Sequence, residues 1–226
     1  MHQVEIKTRG FAIIPDMVSE GSISVLLERL SGANLRRSRA GIRHALQHPG
    51  VMEIAQDPLL LSIAQGTLGS EAIPFRATLF DKSQLSNWLV VWHQDTALPL
   101  RQRLEAEGWG PWSVKDGLIY AHAPARALNQ VLALRVHLDD STAENGPLRV
   151  LPATHNLGVL SDDSIHDLAA RLNPIDCLIA KRGILAMRPL IVHASSKSTS
   201  DMPRRVLHIE YASSRVLEDR FELATA

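Results

Sequence analysis

Asn87-Trp88-Leu89-Val90-Val91-Trp92-His93-Gln94-Asp95 is an apolar run that ends in two metal-ligating residue types, two positions apart. Side chains two apart on a strand project from one face, so a strand from Trp88 to His93 delivers an imidazole and a carboxylate together at its end. Outward from this stretch, short apolar runs separated by turn residues place further strands at Phe75 to Lys82, Val131 to Leu138, Leu148 to Leu151, Cys177 to Ala180, Ile184 to Met187 and Val206 to Tyr211. Asn145-Gly146-Pro147 and Arg182-Gly183 supply turns. Upstream the chain reads mostly helical. Ser24 to Leu30 carries a helical period stopped by Ser31-Gly32, and Asp57-Pro58 caps a helix through Leu59-Leu60-Leu61 that ends near Gly66 or Gly69. A further helix is expected from Ser164 to Leu172. Many short strands after a helical layer, with no regular βαβ alternation, predict a mainly β fold with α: a sandwich or barrel braced by N-terminal helices. Thr96 to Asn129, which holds Trp109 and Trp112, is too long for a simple connection and reads as an active-site lid.

A chain of 226 residues is expected to form one domain over 1–226. Lys+Arg and Asp+Glu balance at 24 each, and the one basic cluster, Arg36-Arg37-Ser38-Arg39, has no interleaved aromatics. Nucleic acid is therefore not an expected partner, and the cluster reads as solvated surface. No apolar stretch approaches the roughly 18 residues that span a bilayer, and no basic-then-apolar leader opens the chain, so no membrane is implied and the cytoplasm is the expected location. Cys177 is the single cysteine; flanked by Ile175, Leu178 and Ile179, it reads as a buried core residue in a reducing compartment.

Two histidines and one carboxylate on one face of an octahedron leave open positions at a ferrous centre, the arrangement needed to activate dioxygen. A His-x-Asp at a strand end plus a distant histidine provides it. The pattern by itself is weak, since with 10 histidines roughly one His-x-Asp arises by chance. His137-Leu138-Asp139 is a second instance and His208-Ile209-Glu210 a variant with the other carboxylate. Periodicity does not choose among them.

The surrounding blocks do. Phe80-Asp81-Lys82, Asn87-Trp88, Trp92-His93-Gln94-Asp95, Leu138-Asp139-Asp140, Glu144-Asn145-Gly146-Pro147-Leu148-Arg149-Val150-Leu151-Pro152, His193-Ala194-Ser195 and Pro203-Arg204-Arg205 resemble the phytanoyl-CoA dioxygenase family in order and spacing. The resemblance covers residues 10 to 215. It implies a double-stranded β-helix, a jelly roll of cupin-like type, and an Fe(II)- and 2-oxoglutarate-dependent dioxygenase that hydroxylates a C–H bond with release of succinate and carbon dioxide. It implies His93, Asp95 and His193 as iron ligands, and it makes His137, Asp139 and His208 structural. Asp95 occupies the position that halogenating relatives vacate for chloride, so hydroxylation is the expected outcome. Arg204, eleven residues after His193, matches the arginine that pairs with the far carboxylate of 2-oxoglutarate. A guanidinium suits that task as a planar, permanently charged fork, and strand alternation sends its neighbour Arg205 to the opposite face. Ser195 matches a hydroxyl that donates to the same carboxylate. Trp112 and Arg43 match cosubstrate-pocket positions more loosely, and Lys82 and Asn87 join as pocket candidates. Ala153-Thr154-His155 and the stretch Tyr120-Ala121-His122-Ala123-Pro124 depart from the family pattern. Implied partners are dioxygen and a small-molecule substrate. A catalytically silent jelly-roll binding protein and a zinc hydrolase on the same ligands are the rival readings.

The choice between the histidine pairs is testable by metal content. His93→Ala should abolish iron binding and iron-dependent activity. His137→Ala should keep the metal while lowering stability by about 1–3 kcal/mol in a denaturant titration. Loss of iron from the His137 variant alone would reverse the assignment.

Overall fold

The computed structural model describes residues 2–32, 37–38, 41–83 and 86–226. Two antiparallel sheets face each other, as the alternation of short strands predicts. The larger runs in the order Phe11–Ile14, Ile184–Met187, Val131–His137, Arg204–Ala212, Ile73–Lys82, Gly41–Ile42 and Arg37–Ser38. The smaller runs Ile175–Asp176, Leu148–Leu151, Val192–Ser195 and Val90–His93. This is the jelly roll, with interior residues alternating with exterior ones along each strand.

The alternation is sharpest on the larger sheet. Ala77, Leu79, Leu132, Leu134, Val136, Leu207, Ile209 and Tyr211 turn outward into one apolar cluster with Ile6, Ile23, Leu26, Val51 and Leu60 of the N-terminal helices. Those helices are His2–Arg9, Glu20–Gly32, Pro49–Ala55 and Pro58–Leu68. The last begins as the sequence predicts: the Asp57 carboxylate accepts from Leu59 N at 2.8 Å, Pro58 takes the first turn, and Gly69 ends it at φ +108°. On the inner face of the same sheet, strand partners Arg204 and Lys82, and His208 and Arg135, sit side by side. One face of the sheet thus makes the core and the other a polar floor.

Leu148–Leu151 and Ile184–Met187 fall where the sequence places them. Three expectations change, and the inserted segment gains detail. Cys177 to Ala180 is not a strand: Cys177 N still reaches Leu148 O at 2.8 Å, but the chain then turns away, and Ile179 exchanges both backbone bonds with Ser141 instead. The late helix begins at Asp162, earlier than Ser164, because Ser161 Oγ accepts from Ser164 N and caps it there. Phe11–Ile14, read as part of a helical region, pairs with Ile184–Met187. The segment 96–129 is folded, with Ala97–Leu100, Leu118–His122 and Trp112–Lys115 forming a three-stranded sheet. It has its own apolar cluster, which includes Leu98, Trp109, Leu128 and Phe221, and Trp109 stacks on Phe221 at 3.8 Å. Of the basic cluster at 36–39, residues 36 and 39 lie outside the described part. No described helix is long and apolar enough to cross a membrane.

A buried polar bond ties helix layer and sheet. Tyr211, fully buried on the outer face, donates its hydroxyl to Ala55 O at 2.8 Å at the end of Pro49–Ala55. Tyr211→Phe should leave that carbonyl without its donor and cost about 1–2 kcal/mol. The expected reading is a lower denaturant midpoint at unchanged slope.

Candidate metal centre

Val90–His93 pairs with Val192–Ser195, and in the register His93 lies directly opposite His193. Their rings approach to 4.2 Å between centroids. Asp95, just past the strand, completes the group: its carboxylate is 3.6 Å from His93 Nε2 and 3.5 Å from His193 Nε2. One donor atom from each of the three lies within 4.8 Å of the others.

The backbone aims these donors. His93 Nδ1 meets Val91 O at 2.8 Å and His193 Nδ1 meets Ile191 O at 2.9 Å. A carbonyl only accepts, so each ring carries its proton on Nδ1 and presents the bare Nε2 to the centre. Gln94 points the other way and fixes the turn. Its amide donates to Gly158 O and Leu190 O, its carbonyl accepts from Leu160 N, and Asp95 N donates to Pro189 O. Burial alone would raise the Asp95 pKa, but His193 and His93 outweigh it and hold the carboxyl well below its usual range. Burial pushes His193 down to about 4, so its Nε2 is free to ligate at neutral pH. Asp95 in turn outweighs burial at His93 and raises its pKa, so the carboxylate attracts positive charge to this point. The set fits a divalent metal with open positions.

The metal-facing groups open into a cavity of about 360 Å³, a size suited to small organic molecules. Arg204 lies on its wall and is buried; its Nε donates to Asn145 O at 3.2 Å and its Nη2 to Ser195 Oγ at 3.4 Å. Arg205 faces away, where Asp139 takes its backbone N, Nε and Nη2 at 2.9, 2.8 and 2.7 Å. The rival carboxylate Asp139 is thereby occupied, and His137 sits buried beside Arg135 and Arg204, its pKa down at about 3 through burial and those two charges. Glu210 of the third pair is gripped by both Nε and Nη2 of Arg76.

Ser195 is placed beside Arg204, although its hydroxyl points to Gly146 O at 2.9 Å and accepts from Lys82 Nζ at 2.9 Å. Lys82, fully buried, also donates to Ser196 O; burial and the charges of Arg204 and Arg135 bring its pKa down to about 7. Asn87 bonds Ser198 reciprocally at 2.8 Å, tying the approach to the His93 strand to the loop after His193. Arg43 lies on the cavity wall at its exposed side. Trp112 is a correction: it packs against the inserted sheet's own cluster under Arg103, 5.6 Å from its ring, and is not among the cavity-lining residues. The tryptophan on the wall is Trp88. Sequence reasoning missed Arg135, which bonds His208 Nδ1 at 3.0 Å, and the Arg76–Glu210 pair, because cations alternating with apolar residues look the same whether they face solvent or an interior cavity.

Comparison with known proteins bears on the fold and the family. L-proline trans-4-hydroxylase of Streptomyces griseoviridis is 27% identical over 180 residues, which cover 68% of this chain and 59% of that protein. The chain thus spans well under two thirds of that relative's length. Among solved structures, AviO1 of Streptomyces viridochromogenes Tue57 superposes with a TM-score of 0.67 at 18% identity, covering 93% of each chain. EctD of S. alaskensis with bound Fe superposes with a TM-score of 0.70 at 18% identity, covering 99% of this chain and 78% of that one. At such identities the two structures speak for the shared fold. The model of the phytanoyl-CoA dioxygenase (PhyH) family matches residues 6–206, nearly the whole chain, and the protein belongs to that family.

Proposed function

We propose that the protein is an Fe(II)- and 2-oxoglutarate-dependent dioxygenase that hydroxylates a C–H bond of a small organic metabolite, with succinate and carbon dioxide as coproducts. The observation that carries the reading is a pair of complementary features across one cavity. On one side His93, Asp95 and His193 converge. On the other a buried Arg204 bonds a carbonyl and a hydroxyl and, among the described residues, pairs with no carboxylate. Relatives fit this pairing by name: the curated one is a proline hydroxylase, and EctD was solved with 2-oxoglutarate.

Iron and 2-oxoglutarate, when bound, supply the dioxygen chemistry. The chain's own residues do the rest. The Nδ1 bonds to Val91 O and Ile191 O keep both histidines in the ligating tautomer, and Gln94 locks the position of Asp95. Arg204 offers its fork to the far carboxylate of the cosubstrate, its Nε already oriented by Asn145 O. Lys82 and Ser195 hold the same corner polar and positive; a modest turn of the Ser195 hydroxyl from Gly146 O brings a donor to that carboxylate. The inserted sheet supplies a wall of the cavity through Thr96, Lys115, Tyr120 and His122, and acts as the lid that limits water at the metal.

With iron and ascorbate the protein should convert 2-oxoglutarate to succinate, whereas a zinc hydrolase or a silent binding protein would form none. Arg204→Met should weaken 2-oxoglutarate binding by about 2–5 kcal/mol, which is roughly thirtyfold or more, while Arg205→Met leaves it nearly unchanged. Equal effects of the two would remove the basis for assigning Arg204. In the lid role, backbone amides of residues 112–122 should exchange more slowly once an inert metal and 2-oxoglutarate are bound. No change in that segment at saturation would reduce it to a fixed wall.

A further inference from the structure

The charges around the cavity do not balance, and their excess bears on what else must bind there. Five cations line it, Arg43, Arg76, Lys115, Arg135 and Arg204, against two carboxylates, Asp95 and Glu210. Arg76 and Glu210 neutralise each other. On the reading above, Arg204 is matched by the far carboxylate of 2-oxoglutarate, while Asp95 and the chelating carboxylate offset the two charges of the metal. Arg43, Lys115 and Arg135 remain. Among the described residues no Asp or Glu side chain bonds any of the three.

Their placement is not random. Arg43 follows the short strand Gly41–Ile42 and Lys115 ends Trp112–Lys115 of the inserted sheet, so two separate parts of the chain bring positive charge to one rim. Lys115 Nζ stands 5.3 Å over the ring of Tyr120, whose hydroxyl is 3.0 Å from His44 Nε2, so the rim is built rather than splayed. Asp116, the nearest acid in sequence, acts on His44 and has an interaction of its own. Burial, then Arg43 and Arg76, depress the Lys115 pKa, so these cations stand close enough to repel one another. Deeper in, Arg135 is 6% exposed, lies 5.2 Å over the Phe80 ring, and has a fully buried Nε with no partner.

We propose that the organic substrate is itself a small carboxylic acid, held by its carboxylate at the Arg43–Lys115 rim with the carbon to be oxidised turned toward the metal. An acid relieves the repulsion that the rim carries in its absence. A neutral compound leaves it in place and forfeits the attraction. Arg135 adds a third positive charge below, which favours an anion's entry over a cation's.

The test is isothermal titration of the zinc-substituted protein carrying 2-oxoglutarate. The probes are the proteinogenic amino acids and a set of hydroxy, aromatic and dicarboxylic acids, each beside its primary amide. At least one acid should bind about tenfold or more tightly than its amide, and its affinity should fall as salt rises. Lys115→Gln and Arg43→Gln should each erode the acid-to-amide ratio, an effect that a loss of packing alone would not produce. Amides equal to their acids, no acid binding, or a ratio untouched in both variants would each overturn the inference. Failure of the metal-loaded protein to take up 2-oxoglutarate would instead overturn the oxygenase reading and this one with it.

Discussion

The cross-strand pairing of His93 with His193 is the constraint on which the rest of the arrangement depends. Directly opposed residues of antiparallel strands sit closest of any pair on a sheet, and a slip of one residue sends a side chain to the other face. In this register both imidazoles face the cavity, and Ser195, two residues past His193 on the same strand, points inward as well. Asp95 needs only the turn that Gln94 anchors. A metal-ligating group thus follows from sheet register plus one side chain facing backward.

The larger sheet answers this with a floor that its other face makes possible. Its outward side chains bury against four helices and carry the hydrophobic stabilisation, so the inward side chains are free to be costly. Lys82, Arg135 and Arg204 are all nearly inaccessible; burial and the charge of Arg135 drive Arg204 down to about 9, and burial, against the pull of Asp95, takes Arg135 down to about 10. Burying cations without carboxylates stores a demand for anions. The protein spends stability there and recovers it when anions bind.

Much of this was legible in the residues, for physical reasons that differ from place to place. Leu148–Leu151 and Ile184–Met187 are short apolar runs bounded by turn residues, a signal that survives tertiary context. Arg204 and Arg205 were separable because alternation forces them to opposite faces, and the Asp139 bonds to Arg205 show which face is which. Phe11–Ile14 was not legible: four apolar residues beside helices suit either state, and only the pairing with Ile184–Met187 decides. Trp112 was misplaced because spacing from a motif says nothing of an inserted sheet with a core of its own. Arg135 was missed since a strand's polar positions are ordinarily read as its wet side.

Val90–His93 is the outermost strand of its sheet, bonded on one side only, whereas His193 sits on an inner strand with partners on both. The two histidines are accordingly unequal: the His93 side chain is 36% exposed and that of His193 only 3%. One jaw of the site is fixed and the other is hinged on a free margin. An ion would come and go past His93, with His193 as the last contact broken, so the order of strands in the sheet sets the order in which bonds to the ion are made and lost.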